Sequence, residues 1–138
     1  LPTQGTVFLS THDRDKQALV PIAARLIELG FDVTATSGTA QALANAGLKV
    51  QSVLKVHEGR PNIEDQIRSK QVQLVINTPI GRQAAHDDKY LRRAALDYAV
   101  PTVTTLAGAR AAVEAISALQ QQPRLSIHAL QDVHAMQR

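Results

Sequence analysis

The chain has 138 residues, 44% hydrophobic and 3% aromatic, with a net charge of +3 and no cysteine. This predicts one domain, 1–138, with a core of Val, Ile, Leu and Ala, and it excludes disulfides and thiolate metal sites. No run nears the ~20 apolar residues of a membrane span, no signal-peptide pattern opens the chain, and Arg92-Arg93 is the only adjacent basic pair, so the expected domain is cytoplasmic, takes no membrane or nucleic-acid partner, and suits an anionic metabolite.

In chain order, Val7-Phe8-Leu9 predicts a short buried strand. Leu19, Ile22, Ala23, Leu26 and Ile27 then repeat at the spacing of one helix face, with Asp13 as its expected cap and Gly30 at its end. A second strand over 31–35 leads into Thr36-Ser37-Gly38-Thr39 and a short helix stopped by Gly47. A third strand is predicted over 48–53, a helix over 62–69 and a fourth strand over 72–76. Leu91, Ala94, Ala95 and Tyr98 mark another helix, Pro101 opens a fifth strand over 102–105, and Ala109, Ala112, Val113 and Ile116 line the helix after it. Gln120-Gln121-Gln122-Pro123 then breaks the pattern, and Leu125 with Ile127 predicts an edge strand before a weak final helix, a tail over 123–138. Alternating strands and helices predict an α/β fold, with a parallel sheet covered on both faces. In such sheets ligands bind beyond the C-terminal strand ends. Thr11-His12, Thr36 to Thr39, Lys55 to Pro61, Asn77-Thr78 and Thr104-Thr105 all follow strand ends and should converge on one edge. The chain begins Leu1-Pro2-Thr3 without a methionine, as expected of a piece of a longer protein.

Thr36-Ser37-Gly38-Thr39 places hydroxyls and backbone amides at a helix N-terminus, where an anion gains about 0.3–1 kcal/mol. An ordinary N-cap has the same composition. Lys16 sits one turn into the first helix, within reach of the same edge. Lys55 and Arg60, set in Lys55-Val56-His57-Glu58-Gly59-Arg60-Pro61, either grip a phosphate or base, at roughly 1.5–3 kcal/mol per charge-assisted bond, or pair with Glu58 or Glu64. Asn77 and Thr78 either meet a ribose or base or form a strand-end turn. His12-Asp13 and His86-Asp87 have the composition of acid–base pairs and equally of capped helix ends beside surface histidines. His57, His128 and His134 lack metal-ligand spacing, and the chain contains no nucleophile elbow, Walker loop or dinucleotide glycine fingerprint.

Taken in order, Gly30-Phe31 through Ala40, Lys55 to Pro61, Val75-Ile76-Asn77-Thr78, Arg92-Arg93-Ala94-Ala95 and Thr104-Thr105-Leu106 resemble the C-terminal allosteric domain of the carbamoyl-phosphate synthase large chain. The Lys55 to Pro61 string is the most specific part. The resemblance implies a methylglyoxal-synthase-like three-layer sandwich with a mostly parallel five-stranded sheet, cut from the C-terminus of a longer chain. It further implies a regulatory, non-catalytic module that binds uridine or inosine monophosphate and adjusts carbamoyl phosphate synthesis for pyrimidine and arginine biosynthesis. By that resemblance Lys16, Thr36, Ser37, Gly38 and Thr39 hold the effector phosphate, Lys55, Asn77 and Thr78 approach base and ribose, and Ser10, His12, Arg60 and Asp87 stand at the rim. The domain itself then needs no cofactor or metal. The parent enzyme would use ATP with Mg or Mn, and its remaining domains and glutaminase small subunit would be partners.

Two departures bear on the effectors. Pro79 replaces a hydroxyl residue that contacts nucleotide in the family, and Thr102 stands where ornithine-responsive members carry a tyrosine. The rival is methylglyoxal synthase acting on dihydroxyacetone phosphate, resembled at His12-Asp13, Lys16, Gly38-Thr39 and His86-Asp87. Arg60, however, falls at about the position of that enzyme's catalytic aspartate, and a guanidinium abstracts no proton at neutral pH. The cyclohydrolase half of the bifunctional purine enzyme shares only the early strand and turn.

Overall fold

The computed structural model describes the backbone of residues 1–78 and 82–137 and the side chains of 1–78 and 88–121. Five strands, β1 (Thr6–Thr11), β2 (Asp32–Ala35), β3 (Gln51–Ser52), β4 (Leu74–Thr78) and β5 (Thr102–Val103), alternate with five helices, α1 (Lys16–Glu28), α2 (Ser37–Asn45), α3 (Ile63–Arg68), α4 (Arg82–Asp97) and α5 (Leu106–Gln137). The sheet order is β3-β2-β1-β4-β5, and every pairing is parallel rather than mostly so. β1 and β4 lie at its centre, in register from Val7–Leu74 to Thr11–Thr78.

The period of two along these strands builds the three layers. Val7 and Leu9 of β1 and Leu74 and Ile76 of β4 pack with Leu19, Ile22 and Leu26 of α1, Leu43 of α2 and Val113 and Ile116 of α5. Phe8 and Val75 point the other way, onto Ile63 and Ile67 of α3 and Leu91 and Ala94 of α4. Each face of the sheet is thus covered by helices of the same chain, and burying each large apolar side chain contributes about 1.5–3 kcal/mol. On both central strands the next residues continue the alternation. Ser10 and Asn77 therefore fall on the α3–α4 face, and Thr11 and Thr78 on the opposite one.

Several boundaries differ from the sequence expectation. The third strand shrinks to Gln51–Ser52 because Leu48 and Val50 pack onto the core instead of extending the ladder, leaving a short edge strand. The fifth ends at Val103 because the Thr105 hydroxyl accepts from the Gly108 amide at 2.9 Å, capping α5. Asp13 does not cap α1. It opens a short 3-10 turn, Asp13–Asp15, whose cap is His12, with Nδ1 accepting from the Arg14 amide at 3.2 Å. The edge strand expected at Leu125 to Ile127 is absent, since α5 runs through that stretch to Gln137. Gln, Leu and Ala are good helix formers, and extending a helix costs far less than starting a new element.

Candidate functional site

β1 and β2 deliver the His12 turn and the Thr36 turn side by side, because neighbouring parallel strands end at the same edge of the sheet. Thr36 is the N-cap residue of α2, in extended conformation, and the first intrahelical bond runs from Ala40 N to Thr36 O at 2.7 Å. The amides of Ser37, Gly38 and Thr39 therefore precede the helical ladder and head its dipole. Two hydroxyls fix this turn to the sheet. The Thr36 Oγ1 hydroxyl donates to Ser10 Oγ at 3.4 Å, and Thr39 Oγ1 accepts from the Thr11 amide at 3.3 Å. Thr36 is 4% and Thr39 1% exposed, so both brace the cradle from beneath.

Lys16 reaches across from the first turn of α1. A Cβ built on Gly38 would lie 3.5 Å from Lys16 Nζ and 3.6 Å from its Cε, with no other described atom from outside α2 within 4 Å. The ammonium thus stands directly beside the amide end of α2. Its side chain is 16% exposed, and it donates to Asp13, which is 91% exposed. The Lys16 hydrogen bond and charge hold the Asp13 carboxyl below its usual range, with smaller contributions from His12 and Lys55. Lys55 follows β3, whose parallel pairing with β2 brings it to the same edge of the sheet. The structure therefore brings together Ser10, His12, Lys16, Thr36, Ser37, Gly38, Thr39 and Lys55 around one turn.

Arg60 goes elsewhere. Its guanidinium forms a two-pronged pair with Asp65 of α3, at 2.7 and 3.3 Å, which holds the Asp65 carboxyl down and raises the Arg60 pKa. The partner is neither Glu58, whose carboxylate accepts from the Lys55 amide at 2.7 Å, nor Glu64, which pairs with Arg68 at 2.8 Å. Gly59 adopts φ +136, open to glycine alone, and the Arg60–Pro61 bond is cis. Asn62 locks this loop. Its Nδ2 donates to Gly59 O at 2.8 Å, and its Oδ1 accepts from the Glu64 and Asp65 amides, capping α3. A cleft of about 460 Å³ lies between this loop and α3, lined by His57, Arg60, Asp65 and Arg68 among others.

Asn77 is 3% exposed, and its Nδ2 donates to Asp88 Oδ1 at 2.9 Å. Thr78 Oγ1 is buried with no hydrogen-bond partner among the described residues. Pro79 and the side chains of His86 and Asp87 lie outside the described residues. Asp88 escaped the sequence reading, although it stands three residues before Leu91 and seven before Ala95, in register with the buried stripe of α4.

With this geometry in place, comparison with known proteins is decisive for the family. A family model described as MGS-like domain matches residues 18–104. The chain belongs to the MGS-like domain family. This MGS-like domain is 50% identical over 135 residues to the carbamoyl phosphate synthase large chain of Acidobacterium capsulatum, covering 98% of this chain and 12% of that one. It is 47% identical over 135 residues to a Methanopyrus kandleri protein described as carbamoyl phosphate synthase large chain, C-terminal section, covering 97% of this chain and 25% of that one. The MGS-like domain thus spans a small part of the length of these relatives. A crystal structure of methylglyoxal synthase from Elizabethkingia anophelis superposes with a TM-score of 0.67 at 22% identity, covering 82% of this chain and 79% of that one, which shows the shared fold. Among the described residues no helix is long and apolar enough to cross a membrane, and no group of three or more His, Cys, Asp or Glu is placed to hold a metal ion.

Proposed function

We propose that this domain is the effector-binding module of a carbamoyl phosphate synthase large chain, and that it binds a nucleotide monophosphate, uridine or inosine monophosphate, to regulate carbamoyl phosphate synthesis for the pyrimidine and arginine pathways. The observation that carries the reading is the Lys16 ammonium beside Gly38, at the amide end of α2. A fixed cation, a glycine without a side chain in the way and three successive amides form a site for a phosphate dianion. Lys55 adds charge on the same edge, and Asn77 with Ser10 supplies polar groups on the α3–α4 face for the rest of the nucleotide. The other domains of the large chain, and through them the glutaminase small subunit, are the proposed partners. ATP with Mg or Mn is used there and not here. Regulation requires the effector to bind one state of the whole synthase more tightly than the other, typically by about 1–3 kcal/mol.

The test is titration calorimetry of the 138-residue chain with uridine and inosine monophosphates. Micromolar binding, worth about 8 kcal/mol, is expected of at least one, and a heat change no larger than dilution with both refutes the proposal. The second reading, methylglyoxal synthase, is favoured by the fold match and by His12, Asp13 and Lys16 at one turn. A general base works best with a pKa near the working pH, whereas Lys16 holds the Asp13 carboxyl down. No turnover of dihydroxyacetone phosphate is therefore expected, and phosphate release from it above the buffer rate would establish the enzyme instead.

A further inference from the structure

Asp88 is a carboxyl group 7% exposed, and its Oδ2 has no hydrogen-bond partner among the described residues. Buried carboxyl groups are normally well satisfied, so one whose Oδ1 is spent on a single amide calls for a reason. Its bond fixes the orientation of Asn77. The bond runs from Asn77 Nδ2 to Asp88 Oδ1, so the donor end of the amide is turned towards the carboxyl group. Because the amide is planar, the Asn77 carbonyl oxygen is then directed away from Asp88. Asn77 lies opposite Ser10 in the β1–β4 register, and Ser10 Oγ accepts from Thr36 at the N-terminus of α2. Asn77 is thus the strand neighbour of the residue that meets the phosphate cradle, with Asp88 bonded to its other side.

We propose that Asp88 is a positioning residue that presents the Asn77 carbonyl oxygen to the ligand, so that position 77 selects a hydrogen-bond donor on the sugar or base of a nucleotide monophosphate. This rests on reading the cradle as a nucleotide monophosphate site. A sugar hydroxyl and an imide N–H offer the same donor chemistry, and a ligand with neither leaves the Asn77 oxygen unpaired. Removing Asp88 lets the amide rotate and offer either end, which removes the selectivity and leaves the phosphate contacts alone.

The experiment titrates the 138-residue chain with uridine monophosphate, its 2′,3′-dideoxy analogue, its 3-methyl analogue and inorganic phosphate, using wild type, Asp88→Leu and Asp88→Asn. Wild type should bind one of the two analogues about tenfold more weakly than uridine monophosphate. Weakening of the dideoxy analogue assigns the donor to the sugar, and weakening of the methyl analogue assigns it to the base. Asp88→Leu should reduce that ratio below about threefold with phosphate affinity unchanged, and Asp88→Asn, which keeps an acceptor oxygen, should restore it. Equal binding of both analogues by wild type, or an undiminished ratio in Asp88→Leu, overturns the proposal. Should Asp88→Leu fail to fold, the Asn77 side-chain amide in wild type decides by NMR: one proton protected from solvent exchange supports the pairing, and two rapidly exchanging protons refute it. If wild type binds only inosine monophosphate, that nucleotide and its 2′,3′-dideoxy and 1-methyl analogues replace the uridine series; absence of binding by both monophosphates overturns the function reading together with this one, whereas binding without discrimination overturns this one alone.

Discussion

Replacing Gly38 by alanine separates what the turn does for stability from what it does for binding, because the two effects have opposite sign. Gly38 is the second residue of α2 and lies in helical conformation, so an alanine there meets no backbone strain. Its Cβ would stand 3.5 and 3.6 Å from Lys16 Nζ and Cε, ordinary contact distances with a flexible side chain. The substitution removes freedom from the unfolded chain and should stabilise the fold by about 0.4–1 kcal/mol. At an unfolding entropy of about 2.1 cal/mol/K per residue, this raises Tm by roughly 1–3 °C. The same methyl occupies the space between the helix amides and the Lys16 ammonium, where the phosphate is to sit. Loss of one charge-assisted hydrogen bond, about 1.5–3 kcal/mol, weakens uridine monophosphate roughly 10- to 150-fold. Thermal unfolding followed by circular dichroism and calorimetric titration of one preparation measure both. A Tm below that of wild type would mean the turn is not helical at Gly38, and unchanged affinity would mean that no anion approaches this backbone.

Three further outcomes are expected. Lys16→Ala should weaken uridine monophosphate at least about tenfold and let the Asp13 carboxyl rise towards its ordinary 3.8, both measurable by NMR titration; a stationary Asp13 would show that the pair does not form in solution. Asn62→Ala removes the α3 cap and the Gly59 contact and should cost about 1–2 kcal/mol in urea unfolding, and a loss under a few tenths would dismiss Asn62 as the lock of the loop. Because Arg60 lowers the folded-state pKa of Asp65 below 3.8, the stability it confers is present above that pH and is lost as pH falls through the folded value. The gap in urea midpoint between wild type and Arg60→Ala should therefore hold near neutrality and close in acid, and a gap that widens in acid would contradict the ion pair.

Much of the architecture was legible because its signal is local. Val7, Phe8 and Leu9 alternate between two faces whatever the rest of the chain does, and Leu19, Ile22 and Leu26 mark a stripe that only a helix aligns. The ends of elements were less legible. Leu48 and Val50 have strand composition, yet they pack onto the core, and Thr105 has strand propensity but is taken by a cap. Such choices depend on neighbours brought in by the fold. The final segment misled for a related reason: the proline and the polar run read as a break, while the helix already begun at Leu106 continues through them.

By itself, the order of residues determined the layers of the sheet, the edge where its strands end, and the presence there of a hydroxyl-rich turn with lysines nearby. The tertiary structure alone decided which cation meets that turn. Lys16 comes to Gly38 because β1 and β2 are neighbours in the sheet, while Arg60 turns to Asp65 because Asn62 and Gly59 fold its loop onto α3. The Asn77–Asp88 bond has the same origin, since it needs β4 at the sheet centre and α4 packed across its face. Periodicity follows from the geometry of a single element, whereas a hydrogen bond of 2.9 Å depends on where two elements are placed in space, and no local pattern encodes that placement.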